Sequence, residues 1–224
     1  MIIAIDGPSG AGKSTLGRMI ARELGLLYID TGAMYRAAAL AVMRSGVSSQ
    51  DEAAVSGIVS GVDIALAGDP DSLCVTLDGE DVSEEIRSEE VSHTASMIST
   101  VSEVRRALVA RQRALGKRGR GAVLEGRDIG AVVFPDADLK FFLTAMPEAR
   151  AHRRYEEDRL RERDANYEST LDDINRRDQR DSTREDSPLK IGDDAIVIDS
   201  SELSIDEVYK RMLGEIREKQ ETKV

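Results

Sequence analysis

The sequence contains one cysteine, no tryptophan and two histidines among 224 residues. Because Cys74 is alone, no intrachain disulfide can form. His93 and His152 do not complete a cysteine and histidine zinc site with it at a recognisable spacing. These scarcities exclude a disulfide scaffold and favour a reducing, cytoplasmic setting.

Long apolar runs and excess positive charge are also missing. The longest apolar stretches, such as Met1 to Ile5, are far shorter than the ~20 residues that a membrane-spanning helix needs. The sequence does not open with the parts of an export signal, which are a basic segment, a long apolar segment and a small-residue cleavage site. The net charge of −11 opposes wholesale binding to nucleic acid or anionic membranes, since such binding depends on Lys and Arg. We therefore expect no nucleic-acid or membrane partner, and any phosphate site must be local.

What is present is an alternation of short apolar runs with longer helical stretches. Runs without polar alternation are typical of strands buried on both faces, as in parallel sheets. They occur at 2–5, 26–29, 122–124, 139–143 and 195–198. Helical patterns lie at 13–24, 33–43, 103–117, 148–163, 171–180 and 205–219. This order predicts an α/β fold with a doubly wound parallel sheet, in one domain spanning residues 1–224.

One region interrupts the alternation. Residues 62–82 contain two β-like runs separated by Gly-Asp-Pro-Asp and followed by an Asp-Gly turn, which is hairpin chemistry. Helical patterns flank it at 51–59 and 88–99. We predict a small antiparallel sheet within a substrate-binding insertion, residues 36–96, in a core formed by 1–35 and 97–224.

Residues 7–14 match G-x-x-x-x-G-K-[ST] and stand between a predicted strand and a predicted helix, the context that this motif requires. Backbone N–H groups of such a loop and the following helix N-terminus hold phosphate oxygens. Lys13 is expected at the β- and γ-phosphates, and the Ser14 hydroxyl on Mg²⁺. An ordinary glycine-rich turn is the weaker alternative. The predicted ATP-binding residues are Gly7, Pro8, Ser9, Gly10, Ala11, Gly12, Lys13, Ser14 and Thr15.

A phosphate-binding loop does not identify the acceptor, which must come from other segments. Four are candidates: 30–36, 96–105, 126–128 and 177–184. Ligands of doubly wound sheets collect at the carboxyl ends of the strands. The segments 30–36 and 126–128, which follow predicted strands, should therefore face the glycine-rich loop across one crevice.

Taken together, the segments IDGPSGAGKST, DTGAMYR, LEGRDIGAVVFPDADLKFFL, EARAHRR and RRDQRDSTRE stand in an order that resembles the bacterial-type cytidylate kinases, in the nucleoside monophosphate kinase group of P-loop proteins. The resemblance covers essentially the whole chain, including the antiparallel insertion. It implies a P-loop kinase fold with a helical lid.

The resemblance also assigns roles to individual residues. Arg36, Arg127 and Arg184 are implied to hold the α-phosphate of CMP, and Arg177 and Asp181 to meet the ribose. Ser96, Arg105 and Asp128 are implied to read the cytosine, and Thr31 is a further substrate-binding candidate. The chemistry suits these roles, because guanidinium forks match phosphate oxygens and a carboxylate can accept from the cytosine amine.

The arginine-rich stretch 150–165 has two interpretations. Acidic residues alternate with its arginines, which is typical of a solvated helix with i,i+4 ion pairs. The resemblance makes it a lid that closes over ATP, and from it we expect Arg153 or Arg154 to contact the transferred phosphoryl group.

The expected reaction is ATP-dependent phosphorylation of CMP, and also dCMP, with Mg²⁺, by a monomer. Lys13, Arg127 and the lid arginines are the expected catalytic residues. No covalent intermediate or catalytic base is needed, because the attacking oxygen belongs to an already ionised phosphate. The alternatives are a kinase for another monophosphate, such as UMP or AMP, and a nucleotide-driven switch without an acceptor.

Overall fold

The computed structural model describes residues 1–160 and 166–221. The strands in chain order are β1 (Ile2–Asp6), β2 (Leu27–Asp30), β3 (Ile64–Ala67), β4 (Cys74–Leu77), β5 (Glu80–Asp81), β6 (Ala122–Gly126), β7 (Leu139–Thr144) and β8 (Ile196–Asp199). The α-helices are α1 (Lys13–Leu24), α2 (Thr31–Ser45), α3 (Glu52–Gly61), α4 (Glu89–Ile98), α5 (Ser102–Gly116), α6 (Pro147–Leu160), α7 (Tyr167–Thr183) and α8 (Ile205–Glu221).

Five strands form the central sheet in the order β2-β6-β1-β7-β8, and all neighbouring pairs are parallel. Ile3 and Ile5 of β1 contribute to the core on one face, where α1 and α8 pack. Ala4, between them, belongs to the core on the opposite face, with α2, α4 and α5. Because side chains alternate across a strand, both faces of the sheet are buried under helices. The predicted doubly wound α/β fold is confirmed.

The antiparallel sheet has the order β3-β4-β5. Ile64 pairs with Leu77 across the predicted hairpin, and a tight turn at Asp78 and Gly79 leads into the short β5. Both turn residues have positive φ angles, 50° and 85°, which Asp and Gly tolerate better than most residues do. The small antiparallel sheet predicted from the turn chemistry is therefore present.

Helix boundaries differ from the predictions at several ends. The helix predicted from residue 33 begins at Thr31, because the Asp30 carboxylate caps it by accepting from Ala33 N at 2.8 Å. The helix predicted over 148–163 is described as far as Leu160, and the rest of that prediction lies outside the described residues. Across the described residues, no helix is long and apolar enough to cross a membrane.

Candidate active site

The glycine-rich loop joins β1 to α1 at the carboxyl end of the sheet. Gly7 has a φ angle of +145°, and a Cβ atom there would lie 2.0 Å from the Leu143 carbonyl oxygen. Gly12 has a φ angle of +91° just before the helix. Only glycine fits such positions without strain, so the loop conformation depends on these residues. Its backbone leads directly into the positive end of α1, which favours bound anions.

Lys13 is withdrawn from water at the start of α1, with 6% of its surface exposed. Its ammonium group donates to the Pro8 carbonyl oxygen at 2.6 Å. Burial, together with the neighbouring charge of Arg127, lowers the pKa of Lys13 to about 7. A bound polyphosphate would supply the negative charge that this buried ammonium lacks.

Two acidic residues border the loop. Asp6, the last residue of β1, accepts from the backbone N–H groups of Ile129 and Gly130, both at 2.8 Å. Burial raises the pKa of Asp6 to about 6. Glu125 accepts from the Tyr28 hydroxyl and interacts with Ser14, and burial followed by the Asp30 charge raises its pKa.

A magnesium ion with nucleotide phosphates suits this donor set. Across residues 1–160 and 166–221, no group of three or more His, Cys, Asp or Glu side chains could hold a metal ion by itself. Mg²⁺ generally takes one or two protein oxygens, with phosphates and water completing its shell. The exposed Ser14 beside Glu125 fits that mode of binding.

Arg127 and Asp128 follow β6 directly. Asp6 and Gly126 are partners in the parallel register of β1 and β6, so the two strands end at the same level. The hydrogen bonds of Asp6 fix the π-helical turn, Ile129–Val133, that comes next. Parallel pairing therefore places Arg127 next to the glycine-rich loop, in agreement with its effect on the Lys13 pKa.

Three predicted acceptor residues form a buried cluster. Arg105 is 2% exposed and its guanidinium donates to the Asp128 carboxylate. Arg184 Nη2 lies 3.9 Å from the other Asp128 oxygen and makes no hydrogen bond within the described part of the chain. Burial and the Arg105 charge lower the pKa of Arg184. A second carboxylate, Asp186, lies 4.0 Å from Arg105 Nε, so Arg184 Nη2 is the donor of this cluster that is left to receive an acceptor atom of a ligand.

The residues at the start of α2 are held against the sheet and against each other. The Thr31 hydroxyl donates to the Glu125 carbonyl oxygen at 2.6 Å, so in this structure it joins α2 to β6. Arg36 Nη2 lies 3.0 Å from Asp30 Oδ2. Arg36 thus lies at the carboxyl end of β2, at the same edge of the sheet as the loop.

Between α4 and α7 lies a cleft of about 520 Å³. Predicted ribose-binding Arg177 lines it, and burial together with the charges of Arg154 and Arg127 lowers the pKa of that residue. Ser96 accepts a hydrogen bond from Arg180, which bridges from α7 to α4. Arg180 also lines the cleft, and the other lining residues are Glu89, Glu90, His93, Asp173 and Arg176.

The arginines of α6 differ in their surroundings. Arg153 donates to the hydroxyl of Ser200, at 3.1 Å, and to its carbonyl oxygen. Arg154 is exposed and pairs with Asp158 at 3.0 Å, one turn along the helix. The contact of Arg153 or Arg154 with the transferred phosphoryl group stays a prediction, and residues 161–165 of the predicted lid lie outside the described residues.

Three contributors escaped the sequence predictions: Asp6, which fixes the turn after Asp128; Arg180, which contacts Ser96; and Arg150, which is buried. The sequence did contain a signal for Asp6, because this acidic residue ends a buried strand and directly precedes Gly7 of the phosphate-binding loop. Arg150 carried none, because it stands in the sequence among several similar charged residues. Only packing distinguishes it from them.

A parallel sheet whose first strand leads through a glycine-rich loop and a buried lysine into a helix defines a P-loop nucleotide-binding protein. A family model described as Cytidylate kinase matches residues 3–218. The chain belongs to the cytidylate kinase family.

Curated relatives agree with that assignment. A cytidylate kinase of Geobacter sp. strain M21 is 48% identical over 219 residues, covering 98% of this chain and 94% of the relative. Another from Caldicellulosiruptor bescii is 49% identical over 211 residues, covering 94% and 93%. Among solved structures, an uncharacterized protein from Eubacterium ventriosum ATCC 27560 matches with a TM-score of 0.53 at 11% identity. That match covers 97% of this chain and 98% of the other, and it shows the fold alone.

Proposed function

We propose that this protein is an enzyme that transfers the γ-phosphoryl group of ATP to CMP. The observation that supports the proposal is the parallel register of β1 and β6. Asp6 pairs with Gly126, so the two strands end at the same level. This register sets the phosphate-binding loop and the Arg127-Asp128 pair side by side. In this proposal the first is the donor site and the second the acceptor site, and their closeness at one edge of the sheet is what a direct transfer requires.

On the donor side, the backbone of residues 7–12 and Lys13 would bind the phosphates of ATP. Lys13 would leave the Pro8 carbonyl oxygen for the phosphate oxygens. Ser14 would hold Mg²⁺ together with those phosphates, and Glu125, which interacts with Ser14, would add negative charge beside the ion. The ion would supply neutralisation of the charge that develops on the transferring group.

On the acceptor side, Arg36, Arg127 and Arg184 would hold the CMP phosphate. Each of the first two already pairs with a carboxylate, Asp30 and Asp181, and would exchange or share that partner. Arg177 and Asp181 would meet the ribose. Since forked guanidiniums match phosphate oxygens, the three arginines would fix the direction of the attacking oxygen.

Base recognition would depend on Asp128, Arg105 and Ser96. Asp128 would accept from the cytosine amine, while Arg105 and Ser96 would donate to the ring nitrogen and carbonyl oxygen. Because Arg105 already fixes the carboxylate, the acceptor is oriented before the base arrives. We extend the proposal to dCMP, since the phosphate and base contacts do not involve the ribose 2′-hydroxyl.

In catalysis, these residues act by placement and charge neutralisation. Lys13 and Arg127, with Arg153 or Arg154 from a lid of residues 150–165, would surround the transferring group and exclude water. We propose further that residues 36–96 form the acceptor-binding insertion and that the enzyme works as a cytoplasmic monomer.

The test is a coupled assay of ADP release with Mg-ATP and CMP, dCMP, UMP, AMP or GMP. We expect CMP to give the highest kcat/KM, with dCMP next. A clear preference for UMP or AMP would replace the acceptor in the proposal. ATP consumption that is independent of every monophosphate would overturn phosphoryl transfer and favour a nucleotide-driven switch.

A further inference from the structure

Arg150 joins three segments of the fold through its guanidinium group. It lies in the first turns of α6 and is 2% exposed. Its Nε atom donates to the Ala145 carbonyl oxygen at 2.9 Å, and its Nη1 atom to the Ser9 carbonyl oxygen at 3.1 Å. Nη1 and Nη2 also donate to the two carboxylate oxygens of Asp178, at 3.2 and 2.5 Å. The carboxyl end of β7, the phosphate-binding loop and α7 therefore share one arginine.

This arrangement is unlike that of the neighbouring arginines. Arg154 and Arg159 pair with acids of their own helix and are exposed. Arg150 is buried and makes a bidentate ion pair with Asp178 of another helix. Such paired geometry restricts both direction and distance, which a single lysine contact would not do.

The loop also packs directly on α6. A Cβ atom at Gly10 would lie 3.0 Å from the Arg150 Cβ atom, so the loop backbone rests on this part of the helix. The Ser9 carbonyl oxygen is held by Arg150. The loop position is thus set by α6 from one side.

On the other side, Asp178 fixes α7. The neighbouring residue, Arg177, and Asp181 one turn later are the side chains that we propose to contact the ribose of CMP. Asp181 accepts from Arg127 Nε at 2.7 Å. Polar contacts therefore connect the phosphate-binding loop to α7 through Arg150 and Asp178, and α7 itself carries Asp181 to its contact with Arg127.

We infer that Arg150 and Asp178 are positioning residues, which set the distance between the phosphate-binding loop and α7 so that the two bound nucleotides align for transfer. The inference rests on the proposed function. Neither residue needs to contact a nucleotide, because Arg150 acts through the Ser9 carbonyl oxygen and Asp178 through α7. A displacement of about 1 Å can cost on the order of 10²-fold in rate when reacting groups must be aligned.

The experiment compares Arg150→Lys, Asp178→Asn and the double variant with the wild-type enzyme. Arg150→Lys keeps the charge but loses the fork, and Asp178→Asn keeps the shape but loses one acceptor. We expect kcat to fall by roughly 10-fold or more in each single variant. The Kd values for the ATP analogue AMP-PNP alone and for CMP alone, from calorimetry, should change by less than about 3-fold, since the groups proposed to touch each nucleotide remain. The kcat of the double variant should be little lower than that of the more impaired single variant, because both substitutions disrupt the same Arg150–Asp178 ion pair.

Asp194→Asn is the matched control. It disturbs another ion pair between remote segments, Lys140 with Asp194 at 2.7 Å, and neither residue is among those proposed to bind a nucleotide. Its kcat should equal that of the wild-type enzyme. Melting curves and activity per folded protein are recorded for every variant.

Two results would overturn the inference. One is a lower melting temperature with unchanged kcat, which would mean that Arg150 and Asp178 only stabilise the packing of the helices. The other is a loss of single-nucleotide affinity as large as the loss of kcat, which would place the residues in a binding site. Failure of the proposed function is read separately, from the wild-type enzyme: no turnover of any monophosphate would remove it.

Discussion

The Nε atom of Arg127 lies 2.7 Å from Oδ2 of Asp181, so the arginine that follows β6 is paired with a carboxylate on α7. In the proposed mechanism, one of these residues holds the acceptor phosphate and the other meets the ribose. CMP would therefore meet an arginine whose charge is already paired with a carboxylate. Such pairing holds the Arg127 and Asp181 side chains in position before CMP binds. When CMP binds, each side chain would exchange its partner for a group of the nucleotide.

Changing Arg127 or Arg184 to Ala should weaken CMP more than ATP. Each change removes a charge-assisted hydrogen bond to the phosphate, which corresponds to about 10- to 100-fold in Kd. Calorimetric titrations with CMP and with AMP-PNP measure the two effects. Arg106→Ala is the control, because Arg106 is exposed, pairs with Glu103 of its own helix and is not among the residues proposed to bind either nucleotide. Equal losses for both nucleotides would show that the two pockets have been assigned wrongly.

Lys13→Met should remove most activity without lowering stability. Losing one preorganised charge at a transferring group costs on the order of 10²–10³ in kcat. The melting temperature at pH 7 should be equal to or above that of the wild type, because the buried ammonium loses its hydration in the folded state. Near-normal turnover would contradict the role of the loop.

The stability difference between this variant and the wild type should also depend on pH. The folded-state pKa of Lys13 is about 7 and its ordinary value is 10.5. The cost of burying the charged group is therefore complete below pH 7 and declines as the pH rises towards 10.5. Melting curves of both proteins between pH 7 and 10 should converge or cross. A constant difference would mean that Lys13 titrates normally in the folded protein.

Activity should have an alkaline limb that belongs to Lys13. In the free enzyme the protonated, phosphate-binding form is lost above a pKa of about 7, so kcat/KM for ATP should decline there when CMP is kept well below saturation. In kcat the limb should shift to higher pH, because bound phosphates stabilise the ammonium. Lys13→Arg, which stays charged, should have a flat alkaline profile at a lower rate. An unchanged limb in that variant would assign the titration to another group.

Asp128→Asn should narrow the preference for CMP over UMP. An amide offers a donor as well as an acceptor, so uracil is no longer faced by a carboxylate that it cannot satisfy, and CMP loses a charged acceptor. Each unmatched polar contact costs about 1–3 kcal/mol. The measurement is the ratio of the two kcat/KM values.

The same change should lower the melting temperature, since it weakens the buried pair with Arg105. The two observations separate the roles of Asp128. A lower melting temperature with an unchanged CMP/UMP ratio would limit Asp128 to a structural role and leave base reading to other residues.

Much of this protein could be predicted from its sequence because the signals are local. The glycine pattern before Lys13 requires a particular backbone, and unbroken apolar runs such as residues 2–5 are typical of a sheet covered on both faces. The Asp78-Gly79 pair likewise predicted a hairpin turn, because Asp and Gly tolerate the positive φ angles that such a turn requires. Local chemistry of this kind determined the fold class and the phosphate-binding loop.

Partnerships between distant segments were decided only by the tertiary structure. Arg150 is 28 positions from Asp178 and 141 from Ser9, and nothing in the sequence distinguishes it from the exposed arginines of the same helix. The pairing of Arg180 with Ser96 and the burial of Asp6 likewise depend on how α7 and the turn after β6 pack against the rest of the fold. A hydrogen bond between remote residues exists only where the packing of whole elements brings donor and acceptor within about 3 Å, and local composition does not encode that distance.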